Sequence, residues 1–146
     1  FLSTDINQVR TGRGHDSMVI EIRPRETVIL ATDFEALLAW YRDVLGFAVT
    51  DLFEDDYHYC CLETHSGIKI GIASAAEMEV EPTDRSKNTV ILQLEVDDLA
   101  EFFAHLTEAG GTVTFGPSFE KKNEFWFGGF SDPEGNPVWV VDKNCP

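Results

Sequence analysis

The chain has 146 residues, 43% hydrophobic and 25% charged, and its 11 Lys and Arg against 26 Asp and Glu leave a formal charge of −15. That length suits one domain burying roughly two-thirds of its surface, and so negative a field repels phosphate backbones, so no nucleic-acid partner is expected. No apolar run approaches the ~18 residues of a membrane helix, and the first residues lack a signal pattern, so a cytoplasmic protein with no membrane association is expected.

Residues 1–17 are polar and aperiodic and precede Met18, so they read as a disordered tail or an expression remnant, and residues 18–146 as a single domain. The acidity belongs to the domain, since residues 26–146 hold 7 basic and 23 acidic side chains. Within it, TVILATDFEALLAWYRDVLGF opens with strand-forming residues. From Asp33 it spaces Phe34, Leu37, Leu38, Tyr41 and Leu45 as a helix face that stops at Gly46. Short strands follow in AVTDLF, YHYCCLE and GIKIGIAS, the last two turning at His65 to Gly67. Cys60 and Cys61 are adjacent and Cys145 is next to last, so three cysteines with no CxxC make neither a disulfide framework nor a structural zinc site.

AAEMEVEPTDRSKN reads as a linker, because Pro82 and mixed charge oppose a strand core and Glu77, Glu79, Glu81 and Asp84 form a solvated charge run. TVILQLEVDDLAEFFAHLTEAGG then repeats the opening plan. Asp97 or Asp98 is the N-cap, Leu99, Phe102, Phe103 and Leu106 form the helix face, and Gly110 is the stop. The strands TVTF, EFWFGGF and PVWVVD follow, the last two joined by the turn SDPEGN. Asp33 to Asp97 and Gly46 to Gly110 are both offsets of 64 residues. The fold class is therefore α+β, with two βαβββ halves at about 26–74 and 88–142.

With its paired halves, its AWYRDVLGF helix, its LEVDDL entry and above all its DPEGNPVWV ending, the chain resembles the vicinal oxygen chelate superfamily, the glyoxalase, bleomycin-resistance and extradiol dioxygenase group, over residues 26–142. The resemblance implies two curled mixed sheets around a cavity, helices outside, and a homodimer that helps complete the site. It also implies metal ligands on the first strand and near the end of the last strand of each half. Carried onto this sequence, those positions are Glu26, Ile91, Gly71 and Trp139. Only Glu26 can ligate, so no metal and no cofactor are expected.

Strand alternation puts Val90, Leu92, Leu94 and Val96 under the helices and turns Ile91, Gln93 and Glu95 toward the cavity. Pairing Ile68 with Glu63, Ile70 with Cys61 and Ile72 with Tyr59 places His58, Cys60, Leu62, Lys69 and Gly71 on the cavity side. Trp139 follows from the implied alignment, and Trp126 stands where similar drug-binding members often carry an aromatic. The candidate ligand-binding residues are thus Trp139, Trp126, His58, Lys69, Gln93 and Glu95.

Stacking faces beside carboxylates suit a flat, cationic aromatic compound, which the overall charge would steer. The first functional reading is a metal-independent small-molecule-binding protein that sequesters such a compound in a dimer cavity. The alternative is a metal-dependent glyoxalase-like lyase, isomerase or dioxygenase using Glu26, His58 and Gln93, and a third is a dimerising scaffold whose aromatics close its own cavity. Plainer structural roles stand beside each residue: core mass for both tryptophans, a bonded strand histidine at His58, a solvated strand end at Glu95. Trp40 reads as core or interface, and His15 and His105 as surface.

Overall fold

The computed structural model describes residues 20–146. The reading of residues 1–17 as a tail, with His15 and Met18, lies outside the described residues.

Each half runs strand, helix, then three strands. The first contains β1 (Thr27–Ala31), α1 (Phe34–Asp43), β2 (Ala48–Phe53), β3 (Tyr59–Glu63) and β4 (Lys69–Ser74). The second contains β5 (Leu92–Val96), α2 (Leu99–Glu108), β6 (Thr112–Glu120), β7 (Phe125–Ser131) and β8 (Pro137–Asp142). The strand orders are β1-β4-β3-β2 and β5-β8-β7-β6, each sheet mixed because its first strand pairs parallel to its last.

Both helices begin at an aspartate in extended backbone. The Asp33 carboxylate accepts from the Ala36 N–H at 3.1 Å and that of Asp98 from the Glu101 N–H at 3.0 Å, each satisfying a donor that the first helical turn leaves unbonded. Of the two caps the sequence offered for α2, Asp98 takes the role. Helix and sheet bury one face each. Phe34, Leu37, Leu38 and Tyr41 pack on Cys60, Leu62, Ile70 and Ile72 in the first half, and Leu99, Phe103 and Leu106 on Leu94, Phe130, Val138 and Val140 in the second. Truncating a fully buried member such as Leu37 to alanine would cost about 2–5 kcal/mol.

The β3–β4 register differs by one residue from the expected pairing. Thr64 and Ile68 close a three-residue loop, the Thr64 N–H reaching the Ile68 carbonyl at 2.9 Å, with Gly67 at φ +99°. Tyr59 therefore faces Ala73, Cys61 faces Gly71 and Glu63 faces Lys69. A slip of one exchanges the two faces of a strand. Cys60 and Leu62, expected on the cavity side, lie in the core, and Tyr59, Cys61 and Glu63 join Lys69 and Gly71 on the open face, away from the helix.

Two further expectations change. Val90 is not under the helices, because β5 starts only at Leu92 and Val90 is 86% exposed. β6 runs on to Glu120 past Gly116 and Pro117, where a break was read. As an edge strand it needs no donor from Pro117, and its register shifts between Phe115 and Ser118 absorb the irregularity. A Cβ at Gly116, which adopts φ +84°, would stand 2.7 Å from the Phe127 carbonyl oxygen.

The halves are joined by a polar tie that the sequence reading did not find. Arg85, in the linker, donates to the Leu30 carbonyl at 2.7 Å and to the Thr32 hydroxyl at 3.0 Å, and pairs with Glu134 at 2.8 Å. The Arg85 and Glu134 side chains are only 10% and 13% exposed. Glu134 also accepts the Thr32 and Asp33 N–H groups at 2.8 Å each, while the buried Tyr41 hydroxyl donates to Asp132 at 2.9 Å. Burial, then the Asp132 charge, pushes the Tyr41 hydroxyl well above its ordinary value. The SDPEGN turn thus holds the second half to the start of α1. Trp40 packs against both cores, and His105, read as surface, donates across the junction to the Val44 carbonyl at 2.9 Å.

Candidate functional site

The open faces of the two sheets differ in chemistry. In the second half, Gln93 pairs with Trp139 and Trp139 with Gly129, so all three positions share one face. Gly129 has no side chain, and the Phe115 ring takes that space, coming within 2.3 Å of where a Cβ would stand. Phe115, Phe125, Phe127 and Trp139 thereby surround a cleft of about 470 Å³ rimmed by Gln93 and Glu120. Trp139 is 48% exposed, a large aromatic surface left facing water.

In the first half the open face is polar. Arg25, Glu26, Asp51, Cys61, Glu63 and Lys69 line a smaller cleft of about 310 Å³. The Tyr59 hydroxyl donates to Glu26, and both lie over Gly71, where a Cβ would stand 2.1 Å from the Tyr59 hydroxyl and 2.7 Å from a Glu26 oxygen. Burial first, and then the hydrogen bond to Glu26, raises the Tyr59 hydroxyl above its ordinary value, keeping it a donor. Burial also raises the Cys61 thiol, and pushes the core thiol of Cys60 up to about 11.

The structure divides the six candidate residues rather than gathering them. Gln93 and Trp139 share the aromatic cleft. Lys69 lies on the other half's open face. Glu95 is on Gln93's strand face but borders the crevice between the halves, with Leu45, Phe47 and Ile68. Trp126 is on the opposite side of β7 from the cleft, because positions 126, 128 and 130 alternate onto the helix side, and its ring lies 5.0 Å from Phe119. His58 precedes β3, with its ring edge-on to Phe34 at the start of α1 and both its backbone N–H and its Nδ1 bonded to Glu77. That backbone bond, ahead of the side-chain one, holds the Glu77 carboxyl below its ordinary value. Glu77, exposed as a solvated charge run implies, is thus also a partner for His58.

The sequence reading missed Phe115, Phe125 and Phe127. Their signal is the odd-numbered alternation of FWFGGF against the known side of Trp139, which becomes readable once the β7–β8 register is fixed.

A divalent ion of the kind the resemblance implies needs at least three protein ligands. The four positions that the resemblance implies, related between the halves by the offsets of 65 residues from β1 to β5 and 68 from β4 to β8, hold Glu26, Ile91, Gly71 and Trp139. One carboxylate, already bonded to Tyr59, does not fit such an ion. Among the described residues no group of three His, Cys, Asp or Glu side chains comes together. Also among them, no helix is long and apolar enough to cross a membrane.

Several solved structures share the fold. A member of the Glyoxalase/bleomycin resistance protein/dioxygenase superfamily from Sphaerobacter thermophilus DSM 20745 is 21% identical with a TM-score of 0.70, over 86% of this chain and 100% of its own. A family enzyme from Burkholderia phytofirmans PsJN is 20% identical with a TM-score of 0.65, over 80% and 95%. TnmS3, an antibiotic binding protein from Streptomyces sp. CB03234, is 18% identical with a TM-score of 0.64, over 84% and 98%. No curated protein matches the chain significantly. The family model of the Glyoxalase/Bleomycin resistance protein/Dioxygenase superfamily matches residues 23–140. With two βαβββ halves, mixed four-stranded sheets and this match over most of its length, the chain belongs to that superfamily.

Proposed function

We propose that the protein is a metal-independent small-molecule-binding protein that sequesters a flat, cationic aromatic compound on the open face of its second half, in a homodimer. The observation that carries this reading is the half-exposed Trp139 among Phe115, Phe125 and Phe127 in a cleft of about 470 Å³. Aromatic faces attract cations and stack planar rings, each such contact contributing about 0.5–2 kcal/mol. Glu120 at the rim and the overall charge of −15 favour a positive ligand. A structural relative named as an antibiotic binding protein supports the same class. The donor set at Glu26, Ile91, Gly71 and Trp139 supports binding without a metal. A homodimer agrees with the apolar surface left at Trp139 and Phe115, which a partner's polar first-half face would cover. Its free thiols suit a reducing cytoplasm.

The test is calorimetric titration of an aromatic cation, such as an acridinium dye, into wild type and Trp139→Ala, together with metal analysis of untagged protein. The reading predicts binding without stoichiometric metal and a loss of ~1–3 kcal/mol in the variant. Stoichiometric Ni, Zn, Mn or Fe, or equal affinity in the two proteins, would overturn it.

A further inference from the structure

In the row of residues that crosses the aromatic cleft, Gln93 of β5, Trp139 of β8 and Gly129 of β7 stand side by side on the open face. Neighbouring strands lie about 4.8 Å apart. β5 is an edge strand of its sheet, so the row ends at Gln93. A flat ring stacked on Trp139 therefore meets Phe115, lying over Gly129, on one side and the Gln93 amide on the other.

Few side chains around this cleft can accept a hydrogen bond from such a ring. The Trp139 indole N–H only donates, and the phenylalanines do neither. The Cys145 thiol is a weak partner, with its Sγ 3.8 Å from the Pro146 carbonyl oxygen. Glu120 is at the rim, but one of its oxygens accepts from the Asn123 N–H and the other from the Asn123 side-chain amide, each at 2.9 Å, so it acts on a ligand mainly through its charge. Gln93 is left. Its side chain is exposed, and among the described residues it makes no hydrogen bond. The frame does not call for an amide there. Val28, which pairs with Gly71 as Gln93 pairs with Trp139, is its counterpart in β1, and it is 48% exposed and apolar. In a largely apolar cleft a small number of placed polar groups fixes the ligand's orientation.

We infer that Gln93 reads the edge of the ligand: the compound is an amino-substituted heteroaromatic cation whose N–H, in the plane of the ring stacked on Trp139, donates to the Gln93 carbonyl oxygen Oε1. An amino group conjugated to a positively charged ring is a stronger donor than a neutral amine, and the amide oxygen is the negative end of its dipole, so the pairing suits a cation in particular. A ring of the same shape and charge without the N–H leaves that oxygen unmatched and binds less well. This rests on the reading of the aromatic cleft above and narrows the class of compound it takes.

Two dyes that share a ring and a fixed positive charge test it by calorimetric titration: 10-methylacridinium, which has no N–H, and 3,6-diamino-10-methylacridinium, which carries two amino groups. Wild type is expected to bind the diamino dye roughly three- to tenfold more tightly, the range of one hydrogen bond. Gln93→Leu keeps the bulk of the side chain and is expected to lose that preference, while its affinity for 10-methylacridinium stays within about twofold of wild type. Gln93→Glu keeps an accepting oxygen and is expected to retain the preference. Circular dichroism checks that both variants are folded, as substitution at an exposed position predicts. A wild type that does not distinguish the dyes, or a preference unchanged in Gln93→Leu, overturns the role of Gln93 and leaves stacking on Trp139 standing. Loss of the preference in Gln93→Glu as well as in Gln93→Leu contradicts acceptance by the oxygen. Failure of both dyes to bind wild type overturns the reading of the cleft, and this inference with it.

Discussion

The two halves share a frame and a core but carry different chemistry on their open faces. On the helix side the positions correspond closely, aliphatic and aromatic residues packing under a helix that begins at an aspartate in both halves. On the open side, Tyr59 corresponds to Phe127, Cys61 to Gly129 and Gly71 to Trp139, so the residue left small and the residue made large change places. One arrangement holds the Tyr59 hydroxyl against Glu26 over a glycine, and the other lays Phe115 over a glycine beside Trp139. Helix-facing residues are constrained by packing density, whereas open-face residues are constrained only by what they bind. The second face has become the aromatic one.

The largest expected effect comes from separating the halves. Arg85→Ala leaves Glu134 buried without its cation and is expected to cost about 3 kcal/mol. That corresponds to a fall of roughly 10 °C in melting temperature for a domain of this size, read by calorimetry. A change below about 2 °C would show that the tie is not what joins the halves.

Next is the contrast between two tryptophans on opposite sides of β7 and β8. Trp139→Ala is expected to weaken aromatic-cation binding by ~1–3 kcal/mol, and Trp126→Ala by less than about 0.5 kcal/mol. Equal losses in calorimetric titration would mean that the ligand does not use the second half's open face.

The register itself can be read chemically. Cys60 is in the core with its thiol pushed up to about 11 by burial, while Cys61 is part-exposed on the open face. Alkylation at mildly alkaline pH followed by peptide mapping should label Cys61 and spare Cys60. Labelling of Cys60 first would restore the pairing that the sequence alone suggests.

The smallest effect concerns Glu77. Its carboxyl is held down first by the His58 backbone N–H and then by the ring, so His58→Ala should raise its pKa only part of the way back. A depressed carboxylate adds stability that is present above its unfolded pKa and lost as pH falls through the folded value. The acid limb of unfolding should therefore move slightly upward in the variant. NMR titration of Glu77 showing full return to the ordinary value would contradict the order of causes.

Much of this fold was legible because it is local and repeated. The Asp33 and Asp98 caps, the i, i+3, i+4 faces, the stops at Gly46 and Gly110 and the turn SDPEGN all act over a few residues. The site was less legible, because it depends on which face of a strand a residue takes. One extra loop residue at Gly67 exchanged Cys60 for Cys61, and alternation along β7 put Trp126 on the side away from Trp139. Arg85 could not be recognised at all in a linker of mixed charge, since its partners, at Leu30, Thr32 and Glu134, are up to 55 residues away along the chain.

The central claim is that the second half's open face is where a ligand sits, and the three tryptophans are built-in reporters of it. Trp40 is in the junction between cores, Trp126 at a hairpin tip and Trp139 in the cleft. Their indole N–H signals can be followed by nitrogen-15 NMR while an acridinium dye is added. The account predicts that the Trp139 signal moves with saturation while Trp40 and Trp126 stay in place. Saturable movement of Trp40 or Trp126 with Trp139 unmoved, or no movement of any, would contradict it.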